Sequence, residues 1–232
     1  MTWASASGFL WLTPQSALSA IQTCTMSLIV HHLNNSRSQR LLWMLEELEL
    51  PYEIRFYERD RRTMLAPPEL KQVHPLGKSP VLEDGRIKLV ETGAICEYLV
   101  EKTGKLGPAD HDQGLRDYRQ FIHYAEGSVM PMLLLMLAMS KVPLLGKVAV
   151  RKVQPMVDTH LDYIEQVLAS RPWFAGQQMS AADIMMSFPL EAATSRAGLG
   201  PSRPATMAWL KKIHARPAYQ AALKKGGTYD YA

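Results

Sequence analysis

Apolar positions along this chain fall into two regimes. Between residues 28 and 100, short apolar runs alternate with helical stripes, whereas after about residue 113 only helical spacing recurs. Leu28-Ile29-Val30, continued by His31-His32-Leu33, reads as a short buried strand. Asn34-Asn35-Ser36 breaks it, and Ser36 suits a helix N-cap. Leu41, Met44, Leu45 and Leu48 follow at helical spacing as far as Leu50-Pro51, and Tyr52 to Tyr57 reads as a second strand. Strand, helix and strand in that order predict a parallel βαβ unit.

The next segment is a loop, Arg59 to Met64, and then a short helix, Glu69 to Val73, opened by Pro67-Pro68. Pro80-Val81-Leu82 and Ile87 to Val90 form two strands around Glu83-Asp84-Gly85, whose Asp-Gly pair is a hairpin signal. A helix starts at Glu91 with Ala94, Ile95, Tyr98 and Leu99 on one face. Gly104 to Asp112, containing Gly107-Pro108, reads as a linker. Beyond it, Val153, Val157, Leu161, Ile164 and Leu168 make one helical stripe. Ser180-Ala181-Ala182-Asp183 reads as a capping box, Pro189 is expected to kink or restart its helix, and Pro217 suits the first turn of the last helix. The pattern therefore predicts α/β plus all-α: a βαβαββα domain over residues 26–104 and a helical bundle over 113–226.

Composition narrows the possible chemistry. The formal charge of +4 is scattered along the 232 residues, which is no nucleic-acid footprint. Cys24 and Cys96 are the two cysteines, too few for a disulfide framework, so a reducing, cytoplasmic setting is expected and no metal site. The longest apolar run, Met130 to Met139, falls short of the ~20 residues of a spanning helix, so no membrane partner is expected. Residues 1–25 carry no charged side chain and lack the basic region of a targeting signal. They are expected to lie outside the fold, as a disordered tail or a stretch ahead of the true start.

The segment from His74 to Leu82 carries the first chemical signal. Pro80, at the start of a strand, donates nothing to a ladder; a cis bond there would turn the Ser79 amide and carbonyl outward, as a free pair able to bond an extended peptide. Eleven positions on, Glu91-Thr92 opens a helix. Open helix amides and the Thr92 hydroxyl attract a carboxylate, and Glu91 accepts from an ammonium group. Together they make a receptor for a free amino-acid head. Each element read singly is also an ordinary turn proline or an ordinary helix start.

Pro75-Leu76-Gly77-Lys78-Ser79-Pro80-Val81 and Glu91-Thr92-Gly93-Ala94-Ile95-Cys96-Glu97-Tyr98-Leu99, in that order after a strand and a Ser-x-Ser-x-Arg helix, resemble the thioredoxin-like domain of glutathione transferases. Ser180 to Asp183 and the stretch from Trp209 to Arg216-Pro217 resemble that family's helical domain, so the likeness spans about residues 27–225. The resemblance implies that Ser79, beside Pro80, holds the cysteinyl unit of glutathione by its main chain. It also implies that Glu91 and Thr92 hold the γ-glutamyl end and that Lys78, or less favourably His74, meets the glycyl carboxylate. A homodimer is implied too. Thr92 stands where serine is commoner in the family, and Ser79 where valine is commoner.

Transferase chemistry needs a thiolate, and a free thiol with a pKa near ~8.5 is mostly protonated at neutral pH. Lowering that value by about two units takes about 2.7 kcal/mol of preferential stabilisation. Ser36 lies between the first strand and the first helix, and the resemblance, in which serine-type members carry their hydroxyl four residues before the helix arginine (here Arg40), makes it the leading catalytic candidate; its plain N-cap role stays open. Asn34, Asn35, Arg37 and Ser38 are alternative thiolate partners. An electrophile pocket is expected from the first helix of the second domain, with Tyr124, Met130 and Met132 in it and Met136 and Met139 as further candidates, although a methionine stripe also suits a core. Cys96 reads as a buried structural thiol. The expected function is conjugation of glutathione to a small apolar electrophile. Glutathione-dependent peroxide or disulfide reduction and a non-enzymatic interaction module are the alternatives.

Overall fold

The sheet of the first domain is built on β1 (Leu28–Leu33), the strand with the most buried residues. In the computed structural model, which describes residues 27–109 and 112–232, β1 pairs in parallel with β2 (Tyr52–Tyr57). On its other side it pairs antiparallel with β3 (Val81–Asp84), and β3 pairs antiparallel with β4 (Ile87–Leu89). The resulting order β2-β1-β3-β4, with α1 (Ser38–Glu47), α2 (Leu70–Val73) and α3 (Thr92–Thr103), makes a thioredoxin-like domain. Expectations for residues 1–25, Cys24 included, lie outside the described residues.

The hairpin turn falls one step later than the sequence pattern indicates. β3 runs on through Asp84, and Gly85-Arg86 make the turn, with Asp84 opposite Ile87. Gly85 has a φ of 61°, a left-handed value glycine adopts without steric cost.

Leu41, Leu42, Trp43, Met44 and Leu45 are all fully buried, so α1 is apolar on every side and packs between the sheet and the helical domain. Its nearest neighbour is α9 (Pro217–Gly226), where Gly226 permits the close approach: a Cβ there would lie 2.2 Å from Gln39 Oε1. Cys96 on α3 is fully buried, and burial pushes its thiol up to about 12.

The second domain contains α4 (Asp112–Tyr124), a π-helical turn (Ala125–Val129), α5 (Met130–Ser140), α6 (Gly146–Ser170), α7 (Ala181–Arg196), α8 (Pro204–His214) and α9. The expected stripe is present on α6, where Val157, Leu161, Ile164 and Leu168 are buried. At the start of α7, Asp183 accepts from the amides of Phe174 at 3.0 Å and Ser180 at 2.9 Å. Segments α4 to α5 join into one 29-residue helical run, 112–140, which is long and apolar enough to cross a membrane. The ten-residue apolar run Met130 to Met139 is its C-terminal part, and Tyr124 lies with those methionines on one helix as expected. Its buried side chains, Phe121, Ala125, Val129 and Leu133 among them, belong to the core shared with α6 and α7.

Pro189 neither ends nor restarts α7, which continues through it to Arg196. Proline has no amide to offer the carbonyl four residues earlier, that of Met185. The guanidinium of Arg40, reaching across from α1, donates to that carbonyl instead, at 2.6 Å.

Candidate functional site

A cleft of about 260 Å³ lies where the loop before β3 faces the start of α3. Lys78, Ser79 and Pro80 line one side and Glu91 and Thr92 the other. The Ser79–Pro80 bond is cis. Ser79 Oγ donates to the His31 carbonyl at 2.8 Å, tying the loop to β1. The main-chain amide and carbonyl of Ser79 find no hydrogen-bond partner among the described residues.

Glu91 directly precedes α3 and has a φ of 69°, a conformation that costs a non-glycine residue of order 1–3 kcal/mol. It is exposed, while Thr92 is buried at the first helical position. No side chain caps α3, so its first-turn amides remain open to an anion. Lys78 lines the cleft as expected; His74 does not, and its Nδ1 accepts from the Leu76 amide at 3.3 Å.

Besides Leu76 and Val90, two further charged residues enter this cleft. Arg37 sits at the foot of α1, and Glu126 comes from the π-helical turn of the second domain. Arg37 Nε donates to both Glu126 carboxylate oxygens at 2.9 Å, and the Arg40 guanidinium donates to the same carboxylate. Burial alone would raise the Glu126 carboxyl; the charges of Arg40 and Arg37 outweigh it and hold the group below its ordinary value. Glu126 carried no local sequence signal, because its role depends on contact between domains.

Ser36 stands just before α1, and its Oγ accepts the Ser38 amide in the manner of an N-cap. The helix begins at Ser38, and the Ser36 carbonyl accepts from the Gln39 amide at 3.1 Å. Its hydroxyl belongs to a buried chain of hydrogen bonds whose direction can be worked out. The Gly226 carbonyl only accepts, so His32 Nε2, 2.9 Å away, carries the proton and His32 Nδ1 is an acceptor. Burial depresses the His32 pKa to about 4, which keeps the ring neutral. Ser38 Oγ, 2.8 Å from that Nδ1, must donate to it, since otherwise two lone pairs would face each other. Ser36 Oγ, 2.7 Å from Ser38 Oγ, then donates to Ser38, and it accepts the Ser38 amide at 3.2 Å. Ser38 itself is fully buried and lines neither cavity.

A second cavity of about 820 Å³ opens on the far side of Arg37, which lines both spaces. Asn35 and Ser36 border it, Met130, Leu134, Leu137 and Phe188 give it an apolar wall, and the C-terminal residues Asp230 and Tyr231 close one side. Asn35 is tied to Asp230 through its side-chain oxygen and nitrogen, at 2.8 and 2.6 Å. Of the residues expected to receive an electrophile, Met130 lines this cavity and Tyr124 and Met132 do not. Tyr124 bonds His160 Nδ1 at 2.6 Å, and Met132 and Met136 pack with the core. Helical period alone does not say which side of the 112–140 run meets α6 and which meets the cavity.

A thioredoxin-like sheet domain followed by a helical domain, with an open main-chain pair facing an uncapped helix start, defines the class. Residues 26–101 match the family description "Glutathione S-transferase, N-terminal domain", and residues 130–217 match "Glutathione S-transferase, C-terminal domain". The chain is 37% identical over 214 residues to Glutathione S-transferase 3 of Schizosaccharomyces pombe, covering 85% of this chain and 87% of that protein. Among solved structures it is similar to a glutathione S-transferase from Actinobacillus pleuropneumoniae, with 32% identity, a TM-score of 0.80 and coverage of 88% of this chain and 95% of that one. It is also similar to a glutathione transferase from Burkholderia graminis solved with two glutathione molecules per subunit, at 27% identity, a TM-score of 0.74 and coverage of 86% and 88%. The chain belongs to the glutathione S-transferase family.

Proposed function

We propose that this protein binds glutathione in the cleft between Ser79 and Thr92 and transfers its thiolate to a small electrophile held in the larger cavity. The observation that carries the reading is the free Ser79 main-chain pair facing the uncapped N-terminus of α3, with Glu91 beside it. An extended peptide pairs with Ser79 as a strand would, its amino-acid head divides between Glu91 and the Thr92 end of α3, and its far carboxylate reaches Lys78. Bound glutathione in the Burkholderia relative supports the same ligand here.

The sulfur then falls at the passage between the two spaces, which Arg37 lines from both sides. With its proton given to Ser38, Ser36 offers the sulfur only a lone pair, which favours the neutral thiol. Donation to a thiolate requires the hydroxyl to turn away from Ser38. The Arg37 guanidinium and the N-terminus of α1 favour the anion as they stand. Arg37 is therefore the preferred activating group, with Ser36 contributing after rotation. Asn35, bonded to Asp230, is the weaker alternative.

Glutathione-dependent reduction of a disulfide or peroxide is the second reading. The two glutathione molecules in the Burkholderia structure favour it, and Cys96, buried with a raised thiol pKa, takes no part. The proposal includes a homodimer in a reducing, cytoplasmic setting, serving detoxification. Phe56, 60% exposed on the outer strand β2, gives a second copy an apolar contact. Titration calorimetry with glutathione, followed by turnover of an aryl halide, a hydroperoxide and a mixed disulfide, separates the readings. A chain that binds no glutathione would remove both.

A further inference from the structure

The larger cavity carries more positive charge than an apolar electrophile requires. Its wall of Met130, Leu134, Leu137 and Phe188 suits an apolar body, but Arg59, Arg62, Lys141 and Arg196 also line it. None of these four side chains has a carboxylate partner among the described residues, although the Arg62 main-chain amide donates to Asp60 at 3.1 Å. Arg59 donates to the main-chain carbonyls of Asn34, Met64 and Asn35, at 3.1, 2.9 and 3.3 Å. Arg196 donates to the Tyr231 hydroxyl at 2.7 Å and lies 5.2 Å from the centre of that ring. Carbonyl and hydroxyl partners fix a guanidinium in place without cancelling its charge. Arg37, the fifth cation, differs because it shares the Glu126 carboxylate with Arg40. Among the lining residues Asp230 is the only acid, and it is exposed and bonded to Asn35.

The crowding of like charge registers on Arg59. Burial lowers its pKa; Tyr231 offsets part of this, and the charges of Arg37 and Arg196 lower it further. A wholly apolar ligand would strip water from these cations and return nothing. A ligand anion would neutralise them in a partly enclosed space, where a charge pair is stronger than in bulk water.

We propose that the larger cavity selects an amphipathic carboxylate: an apolar electrophile whose carboxylate, remote from the reacting carbon, lies among Arg59, Arg62, Lys141 and Arg196. This rests on the glutathione-transferase reading above. The four unmatched cations come from the loop after β2 and the C-terminal ends of α5 and α7, and none of them lines the glutathione cleft. A ligand whose acid meets these cations while its reacting carbon meets a sulfur in the cleft carries the two at different ends. For an activated alkene, the thiolate forms the carbon–sulfur bond at the β-carbon. The alkene pair moves to the α-carbon, and a proton from water completes the addition, replacing the thiol proton already lost to solvent. A second glutathione would also bring carboxylates, but its polar backbone would leave the apolar wall uncovered.

The test compares an aryl vinyl ketone bearing a remote carboxylate with its methyl ester, in the wild type and in a double variant, Arg62→Gln with Lys141→Gln. Both side chains are exposed, so folding does not depend on them. The expected result is a kcat/KM at least about tenfold higher for the acid than for the ester at low salt, with the preference falling several-fold in the double variant and in high salt. Equal rates for acid and ester in the wild type, or a preference the double variant keeps, overturns the proposal. Calorimetry with dodecanoate and dodecanol, in the absence of glutathione, gives a readout independent of catalysis. Tighter binding of dodecanoate supports the anion site even if no thiol transfer is found, whereas equal binding overturns it. Displacement of dodecanoate by glutathione in a Glu91→Ala variant would assign the cations to a second glutathione and overturn it as well.

Discussion

Arg40 on α1 donates to the main-chain carbonyl of Met185 on α7, the carbonyl that Pro189 leaves without its helical partner. A side chain of the thioredoxin-like domain thereby completes the hydrogen bonding of a helix in the other domain. Arg40 is 2% exposed and bonds Glu126 too, so one buried cation links α1 to two segments of the helical domain. Replacing Arg40 with Met is expected to destabilise the protein by about 3–5 kcal/mol, the range for breaking a buried ion pair. Adding Pro189→Ala should recover part of the loss, since an alanine amide can serve Met185. Denaturant unfolding of the two single variants and the double variant measures this; strictly additive effects would disprove the link.

Thiol activation separates Ser36 from Arg37. Arg37→Gln is expected to shift the kinetic pKa of bound glutathione upward and lower kcat/KM at neutral pH about tenfold, while Ser36→Ala changes either value only slightly. The pH profile of kcat/KM for both variants reads this directly. A Ser36→Ala loss beyond about a hundredfold with unchanged glutathione affinity would give the role to the hydroxyl.

Glu91 should show opposite effects on folding and binding. Its φ of 69° suits glycine, so Glu91→Gly is expected to raise stability by about 1 kcal/mol. The same change removes the acceptor for the ligand's ammonium and should weaken glutathione about tenfold or more. Thermal unfolding and calorimetry on one preparation test both signs.

Asp183 gives the fold a defined pH dependence. Burial dominates and raises its pKa from 3.8 to about 6, against the lowering by its Phe174 and Ser180 donors. The folded protein therefore holds this proton more tightly than the unfolded chain does. The associated stability is complete below pH 3.8 and is lost as pH rises through about 6. Relative to Asp183→Asn, the wild type should lose stability across that window. A constant difference in unfolding free energy over the window would refute the assignment.

Local signals carried most of the fold into the sequence. A short apolar run located β1, and helical spacing located α1 and the stripe on α6, because these patterns lie in each element's own residues. The β3–β4 hairpin was legible from Asp84-Gly85, though strand pairing moved the turn to Gly85-Arg86. Pro189 does not restart α7, and the partner for the Met185 carbonyl lies 145 residues away on Arg40, beyond what one helix's own sequence shows. Tyr124 and Met132 were expected in a pocket, but helix packing buried their side of α4 and α5 against α6 and the core.

The sequence by itself determined the two-domain order, and through Ser79-Pro80 and Glu91-Thr92 it determined the cleft, because those groups act through main chain and helix ends close to their own positions. Only the tertiary structure decided that Glu126 faces Arg37, that the Gly226 carbonyl fixes the His32 tautomer and so turns the Ser38 and Ser36 protons inward, and that four cations meet across the larger cavity. Each of these depends on residues far apart in the chain, and the energy of a charge or a hydrogen bond is set by distance and burial, which only the packed domains define.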